Sequence, residues 1–147
     1  LLEPPSPFRL PSHVEECFNI AIKNDATSVM SVIEVGDYHP IRMKKIDKNG
    51  VLRGFFKDEP DGLRRQDQEP VFIRNCAVYI FSRKNIKSNL LWGNNSFGYV
   101  MKRDFYSINI DNPIDALTAN AFYEKLKKEK TNLNNIEFIP IKKDFTQ

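Results

Sequence analysis

The residues able to do chemistry fall in a few short stretches. Asp111 closes Ser107-Ile108-Asn109-Ile110-Asp111, where an apolar alternation runs into Asn112-Pro113 and a helical pattern. A carboxylate there either starts the helix or, delivered to the carboxyl edge of an open sheet, shares a divalent metal with phosphate oxygens. The local sequence alone favours the helix start. Arg64-Arg65-Gln66 lies in a run dominated by charged and turn-forming residues. Guanidinium groups pair bidentately with carboxylates and phosphates, and a solvated charged loop is the plain alternative. Ser6 and Arg9 put a hydroxyl and a guanidinium on a loop, where ligand-binding groups concentrate. Cys76 follows Asn75 inside an apolar run with no base beside it, which argues against a catalytic thiol. His13 and His39 stand at no zinc-ligand spacing.

Several elements must position these groups. Ser12-His13-Val14-Glu15 has the form of a capping box, and Val14, Cys17, Phe18 and Ala21 follow at helical spacing, predicting a helix over 12–24. Residues 28–35, SVMSVIEV, are β-branched and apolar on both faces, as in an interior strand of a parallel or mixed sheet. Residues 41–56 alternate around Asn49-Gly50, a strong hairpin signal, and residues 57–70 extend this excursion as a polar loop. Residues 71–81 return to a buried-strand texture, 82–88 form a short helix, and 99–101 and 106–110 are short strands. Asn112 caps a last helix with Pro113 in its first turn, Asp115 at its third position, and an apolar stripe through Ile114, Leu117, Ala121 and Leu126. The basic run Lys125–Lys130 suits that helix's end. Residues 131–147 are a loop and one extended segment.

The 147 residues are one domain's length, 41% hydrophobic and 28% charged, with eleven Phe and five Tyr, which excludes a disordered chain. The net charge of +3 comes from interleaved signs, so only the isoelectric point near 8.8 speaks for a nucleic-acid partner, and weakly. Two cysteines at no motif spacing suit reduced thiols in a cytoplasmic protein. No apolar run is long enough to span a bilayer, so no membrane partner is expected.

Four stretches, in order, resemble one family. LLEPPSPFR resembles LLQPTSPLR, and HPIRMKKIDKNG stands where the family begins a dimerisation hairpin. RRQDQEPVFIRNCAVYIF resembles RRQDLPPVYxxNGAIYIF, and YSINIDNPIDALTA resembles RSIDIDTELDFKLA. The family is the acylneuraminate cytidylyltransferases, or CMP-sialic acid synthetases, and the match runs from Leu1 to about Leu126. The resemblance implies an α/β, Rossmann-like nucleotide-diphospho-sugar transferase fold: a mixed sheet, flanking helices and an inserted β-hairpin dimerisation element over 39–70. It implies a cytoplasmic homodimeric nucleotidyltransferase of surface-glycan biosynthesis. Such an enzyme moves CMP from CTP to a nonulosonic acid, releases pyrophosphate and requires Mg²⁺.

By resemblance Asp111 and Asn109 hold the metal, and Asp111 and Arg65 are catalytic. Ser6, Arg9, Arg42, Arg64, Gln66 and Asn75 bind substrate, with Arg65 reaching the neighbouring subunit's sugar site. Residues 1–147 correspond to a C-terminal portion without the family's N-terminal phosphate loop, so by themselves they are expected not to transfer CMP. Residues 131–147 lie outside the resemblance. Asn109 for Asp, Glu3 for Gln and Cys76 for Gly are departures from the pattern. They support the competing reading, a dimerisation or regulatory module that keeps the fold without the chemistry.

Overall fold

Strand β1 (Ser28–Glu34) lies at the centre of the sheet, as its two apolar faces require. A computed structural model describes residues 1–56 and 64–128, with the backbone alone at Arg65. On one side β1 pairs antiparallel with β4 (Phe72–Phe81), and on the other parallel with β5 (Ser96–Val100), so the sheet is mixed. Helix α1 (Pro11–Lys23) covers one face. Its Cys17 packs with Val29, Ala77, Val78 and Met101, while Val14, Ile20 and Ala21 close round them. Burial pushes the Cys17 thiol up to about 12, leaving it an inert core group.

The start of α1 differs from the expected box. Leu10 is the N-cap, and Ser12 lies inside the first turn. His13 makes the reciprocal closure instead: its N–H donates to the Leu10 carbonyl at 3.1 Å, and its Nδ1 accepts the Leu10 N–H at 3.1 Å. Pro11 fixes this register because the ring suits the first helical position.

The hairpin forms as expected, from β2 (Lys44–Ile46) and β3 (Leu52–Gly54). Gly50 takes φ +80°, and the Asp47 carboxylate accepts the Asn49 and Val51 N–H groups. Ile41 and Arg42, expected in the first arm, instead form a 3₁₀ turn that begins at Pro40. A short helix, α2 (Arg83–Lys87), is capped by Ser82. After it Gly93 passes so close to Thr27 that a Cβ would have no room.

Two further expectations are corrected. Residues 106–110 form no strand: Phe105–Ser107 is a 3₁₀ turn capped by Asp104, and the extended residues after it make one ladder-like bond, Ile110 N–H to the Pro5 carbonyl at 2.8 Å. The last helix, α3 (Pro113–Lys128), buries Ala119, Phe122 and Leu126 and leaves Ile114 and Leu117 about 70% exposed (73% and 69%). The buried face is chosen by Phe8 and Phe105, whose rings meet Phe122 at 4.9 Å and 4.0 Å. Each large apolar side chain buried this way stabilises by roughly 1.5–3 kcal/mol, enough to override a pattern read from spacing. The end of the basic run and residues 131–147 lie outside the described residues, as do residues 57–63 of the polar loop. No helix among the described residues is long and apolar enough to cross a membrane.

The register of β1 against β4 holds the main irregularity. Met30 pairs with Tyr79 and Val32 with Arg74, so Ser31 alone faces Asn75–Val78. This is an extended β-bulge, four residues opposite one, and Cys76 within it sits at φ +60°. The Val78 N–H, left without a carbonyl, donates to the buried Ser31 Oγ at 2.8 Å.

Ser31→Ala should cost about 1–3 kcal/mol by stranding that buried donor, and Cys76→Val about 2 kcal/mol or more. Cys76→Gly should lose less than about 1 kcal/mol, because the backbone strain it relieves offsets the lost side chain. Urea denaturation of the three variants checks this ordering. At His13 burial holds the imidazole below its ordinary value of 6.5. Protonation then opposes folding, so the contribution is full above that value and is lost as pH falls through it. Denaturation midpoints at pH 7.5 and 5.5 should converge in His13→Gln, which keeps an N-terminal acceptor without titrating.

Candidate active site

The bulge matters because it turns Asn75 toward the loop that carries Ser6. Asn75 is buried (3% exposed), and its carbonyl accepts the Ser6 hydroxyl at 3.0 Å. The same hydroxyl lies 3.2 Å from Asn109 Oδ1, so its single proton serves two acceptors. The Asn109 amide then donates from Nδ2 to Asp111 Oδ2 at 2.6 Å. The carboxylate sets this orientation, since the opposite flip would face two oxygens. Ser6, Asn75, Asn109 and Asp111, from three separate stretches, thus form one hydrogen-bonded line.

The last three of these residues line a cleft of about 500 Å³ with Ile33, Ile73 and Arg74. Asn75 Nδ2 points to Met101 Sδ at 3.1 Å, and Asn75 Oδ1 is a buried acceptor with no partner among the described residues. Such an atom is costly and marks where a donor is wanted.

Asn112 and Asp111 divide the work at the start of α3. Asn112 Oδ1 accepts the Ile114 and Asp115 N–H groups, and Asp115 returns to the Asp111 and Asn112 N–H groups at 3.0 and 3.1 Å. This is the expected cap, made by Asn112 and Asp115, and the Asp111 side chain takes no part in it. Its Oδ1 has no protein partner among the described residues.

Other sequence-predicted residues lie elsewhere. Arg9 donates to the Glu3 carbonyl at 2.6 Å and to the Ala77 carbonyl at 3.3 Å, tying the first loop to β4. Desolvation, countered in part by Glu3, holds its pKa below the ordinary value. Arg42 and Arg64 stand on the hairpin excursion in exposed pairs with Asp37 (3.4 Å) and Asp67 (3.0 Å), and neither lines the cleft. Pairs of this kind contribute about 0–1 kcal/mol, so a ligand could displace either. Gln66 is exposed nearby, and Arg65 occupies the same 3₁₀ turn. Sequence reasoning missed Arg74 and Arg103. Arg103 precedes the 3₁₀ turn, whose strand-like alternation hid the bend that brings it to the cleft.

A search of curated proteins finds relatives along most of the chain. The N-acylneuraminate cytidylyltransferase of Streptococcus agalactiae serotype III (strain NEM316) is 25% identical over 135 residues, 90% of this chain and 32% of its own length. The N-acylneuraminate cytidylyltransferase of Oncorhynchus mykiss is 30% identical over 112 residues, 75% of this chain and 25% of its own. The chain is a relative of the N-acylneuraminate cytidylyltransferases. It spans between a quarter and a third of those relatives' length. No family model matches the chain.

Among the described residues no three His, Cys, Asp or Glu side chains cluster as a metal site. One free carboxylate oxygen beside an amide fits an ion that arrives with phosphates, since Mg²⁺ needs only one or two carboxylates in that case. Asn109→Asp should set two carboxylates against each other and lower the melting temperature without divalent cations. Millimolar Mg²⁺ should restore the lost stability in Asn109→Asp and leave the unsubstituted chain nearly unchanged. Thermal denaturation with and without Mg²⁺ checks both halves.

Proposed function

We propose that this chain supplies part of a nucleotidyl-transfer site that joins CMP from CTP to a nonulosonic, sialic-acid-like sugar with release of pyrophosphate. The observation that carries the reading is the line Ser6–Asn75–Asn109–Asp111 along one cleft, in a chain related to the N-acylneuraminate cytidylyltransferases. Asp111 is the residue proposed to hold Mg²⁺. Asn109, expected as a second ligand, is better placed to orient Asp111, because its amide nitrogen faces the carboxylate. The ion's contribution, when bound, is to neutralise phosphate charge. Asn75 offers its free buried acceptor to a hydroxyl or amine of the substrate. The rest is positioning: a backbone stiffened by the bulge holds these groups in place before substrate arrives.

The hairpin supports a homodimer. Its two three-residue strands bury almost nothing, and Ile46, Leu52, Phe55 and Phe56 are each more than half exposed. Two-stranded ribbons are marginal alone in water, so this one is suited to lie on a partner copy. Arg42, Arg64, Arg65 and Gln66 would then serve the neighbouring subunit's sugar, which agrees with Arg42 and Arg64 standing off their own cleft.

Pyrophosphate release from CTP, N-acetylneuraminate and Mg²⁺ tests the reading. The chain alone should be silent. A fusion to the portion of the Streptococcus agalactiae relative that the chain does not span should turn over, and Asp111→Ala should slow that fusion by about 10²-fold or more. A folded, CTP-binding fusion whose rate ignores Asp111→Ala would sink the assignment.

A further inference from the structure

The cleft has a neighbour. A second cavity of about 330 Å³ adjoins it, and the two share Ile33, Ile73 and Arg103. The second cavity is walled mainly by apolar side chains, among them Val35, Tyr38, Pro40 and Met43. Arg103 therefore stands at the junction of a polar cleft and an apolar pocket.

Charge at this junction is unevenly satisfied. Of the cleft's carboxylates, Asp104 accepts the Tyr106 N–H at 3.0 Å, Asp115 caps α3, and Asp111 holds Asn109. The two arginines differ. The Arg74 guanidinium is committed to the face of Trp92, 5.2 Å from the ring centre. Arg103 donates from one Nη to the Val35 carbonyl at 3.1 Å and has no carboxylate partner among the described residues. That bond orients the guanidinium and leaves most of its five N–H donors free.

We propose that Arg103 is the anchor for the carboxylate of an acidic sugar, and that the adjoining apolar pocket receives an uncharged acyl substituent of the same molecule. The inference rests on the nucleotidyl-transfer reading and adds the residue that would sort substrates. A planar carboxylate matches the guanidinium fork. An acyl methyl group gains by leaving water for a wall of this kind. The cleft side keeps Asn75 and Asp111 for the rest of the reaction.

Calorimetric titration of the chain with N-acetylneuraminate and with its methyl ester tests the anchor. The ester keeps the shape and removes the charge. The unsubstituted chain should bind the acid about tenfold more tightly than the ester. Arg103→Gln should erase that ratio, and Arg103→Lys should restore part of it. Val71→Phe, which fills the apolar pocket, should weaken N-butanoyl more than N-acetyl sugars. CMP binding with Mg²⁺, followed through the Asn109 side-chain amide by NMR, should be unchanged in all three variants and serves as the check of folding. An acid-to-ester ratio that survives Arg103→Gln, or no acid binding to a chain that still binds CMP, overturns the proposal and leaves the nucleotidyl-transfer reading standing. Where only the fusion binds CMP, the same titrations are read on the fusion; failure of CMP to bind both the unsubstituted chain and the fusion overturns both readings.

Discussion

The hydrogen bond from the Val78 N–H to Ser31 Oγ is the constraint on which the rest of this structure depends. A strand pair that slips from one register to another leaves backbone groups facing no partner, and in a buried sheet each such group costs about 1–3 kcal/mol. Here a serine on the central strand takes the donor. That lets β4 carry the bulge at Asn75–Val78 without losing the sheet, and it lets Cys76 occupy a backbone region that disfavours side chains. With the strand bent, the Asn75 carbonyl meets Ser6 instead of a neighbouring strand. The wall of the cleft begins there.

The bend also explains how a chain with few buried charges assembles a polar cleft. Its carboxylates come from turns and a helix start, where backbone N–H groups are already available to hold them. Asp104 and Asp115 are used in that way, and Asp111 is held by an amide. What is left over is specific: one oxygen of Asp111, one buried acceptor on Asn75 and one guanidinium at Arg103. Dependence on the sheet is indirect, because α3 docks on Phe8, Phe105 and the extended residues after the 3₁₀ turn, with the strands beyond them. The position of Asp111 thus follows from aromatic packing on loops, and the position of Asn75 from strand pairing. Ser6 joins the two.

Local chemistry made much of this legible in the sequence. Doubly apolar, β-branched SVMSVIEV can only be an interior strand, and it is the central one. Gly50 turns the hairpin because few other residues accept its positive φ, and Asp47 holds the Asn49 and Val51 N–H groups beside it. Asn112-Pro113 with Asp115 three residues after the cap starts a helix by satisfying its own orphan N–H groups. Each signal is short-range, carried by propensity or capping within a few residues. The ordered motifs likewise pointed to the cytidylyltransferase family, to which the chain is related.

Other features were decided only by tertiary contact. Alternation over Tyr106–Ile110 suggests a strand, but no neighbour among the described residues offers a ladder, and Asp104 captures the turn instead. Spacing alone presents Ile114 and Leu117 as the buried stripe of α3, yet two phenylalanine rings distant in sequence select Phe122's face. Ser12 has the chemistry of a cap, but Pro11 moves the helix start and His13 closes it. Asn75, Asn109 and Asp111 are nameable from motifs, whereas their joining through Ser6, and the arrival of Arg103 between two cavities, required the bulge and the turn. Sequence determined which groups could act and which elements would form, because capping, propensity and turn chemistry operate over a few residues. The fold decided which groups meet, because register and ring packing are settled by residues far apart in the chain.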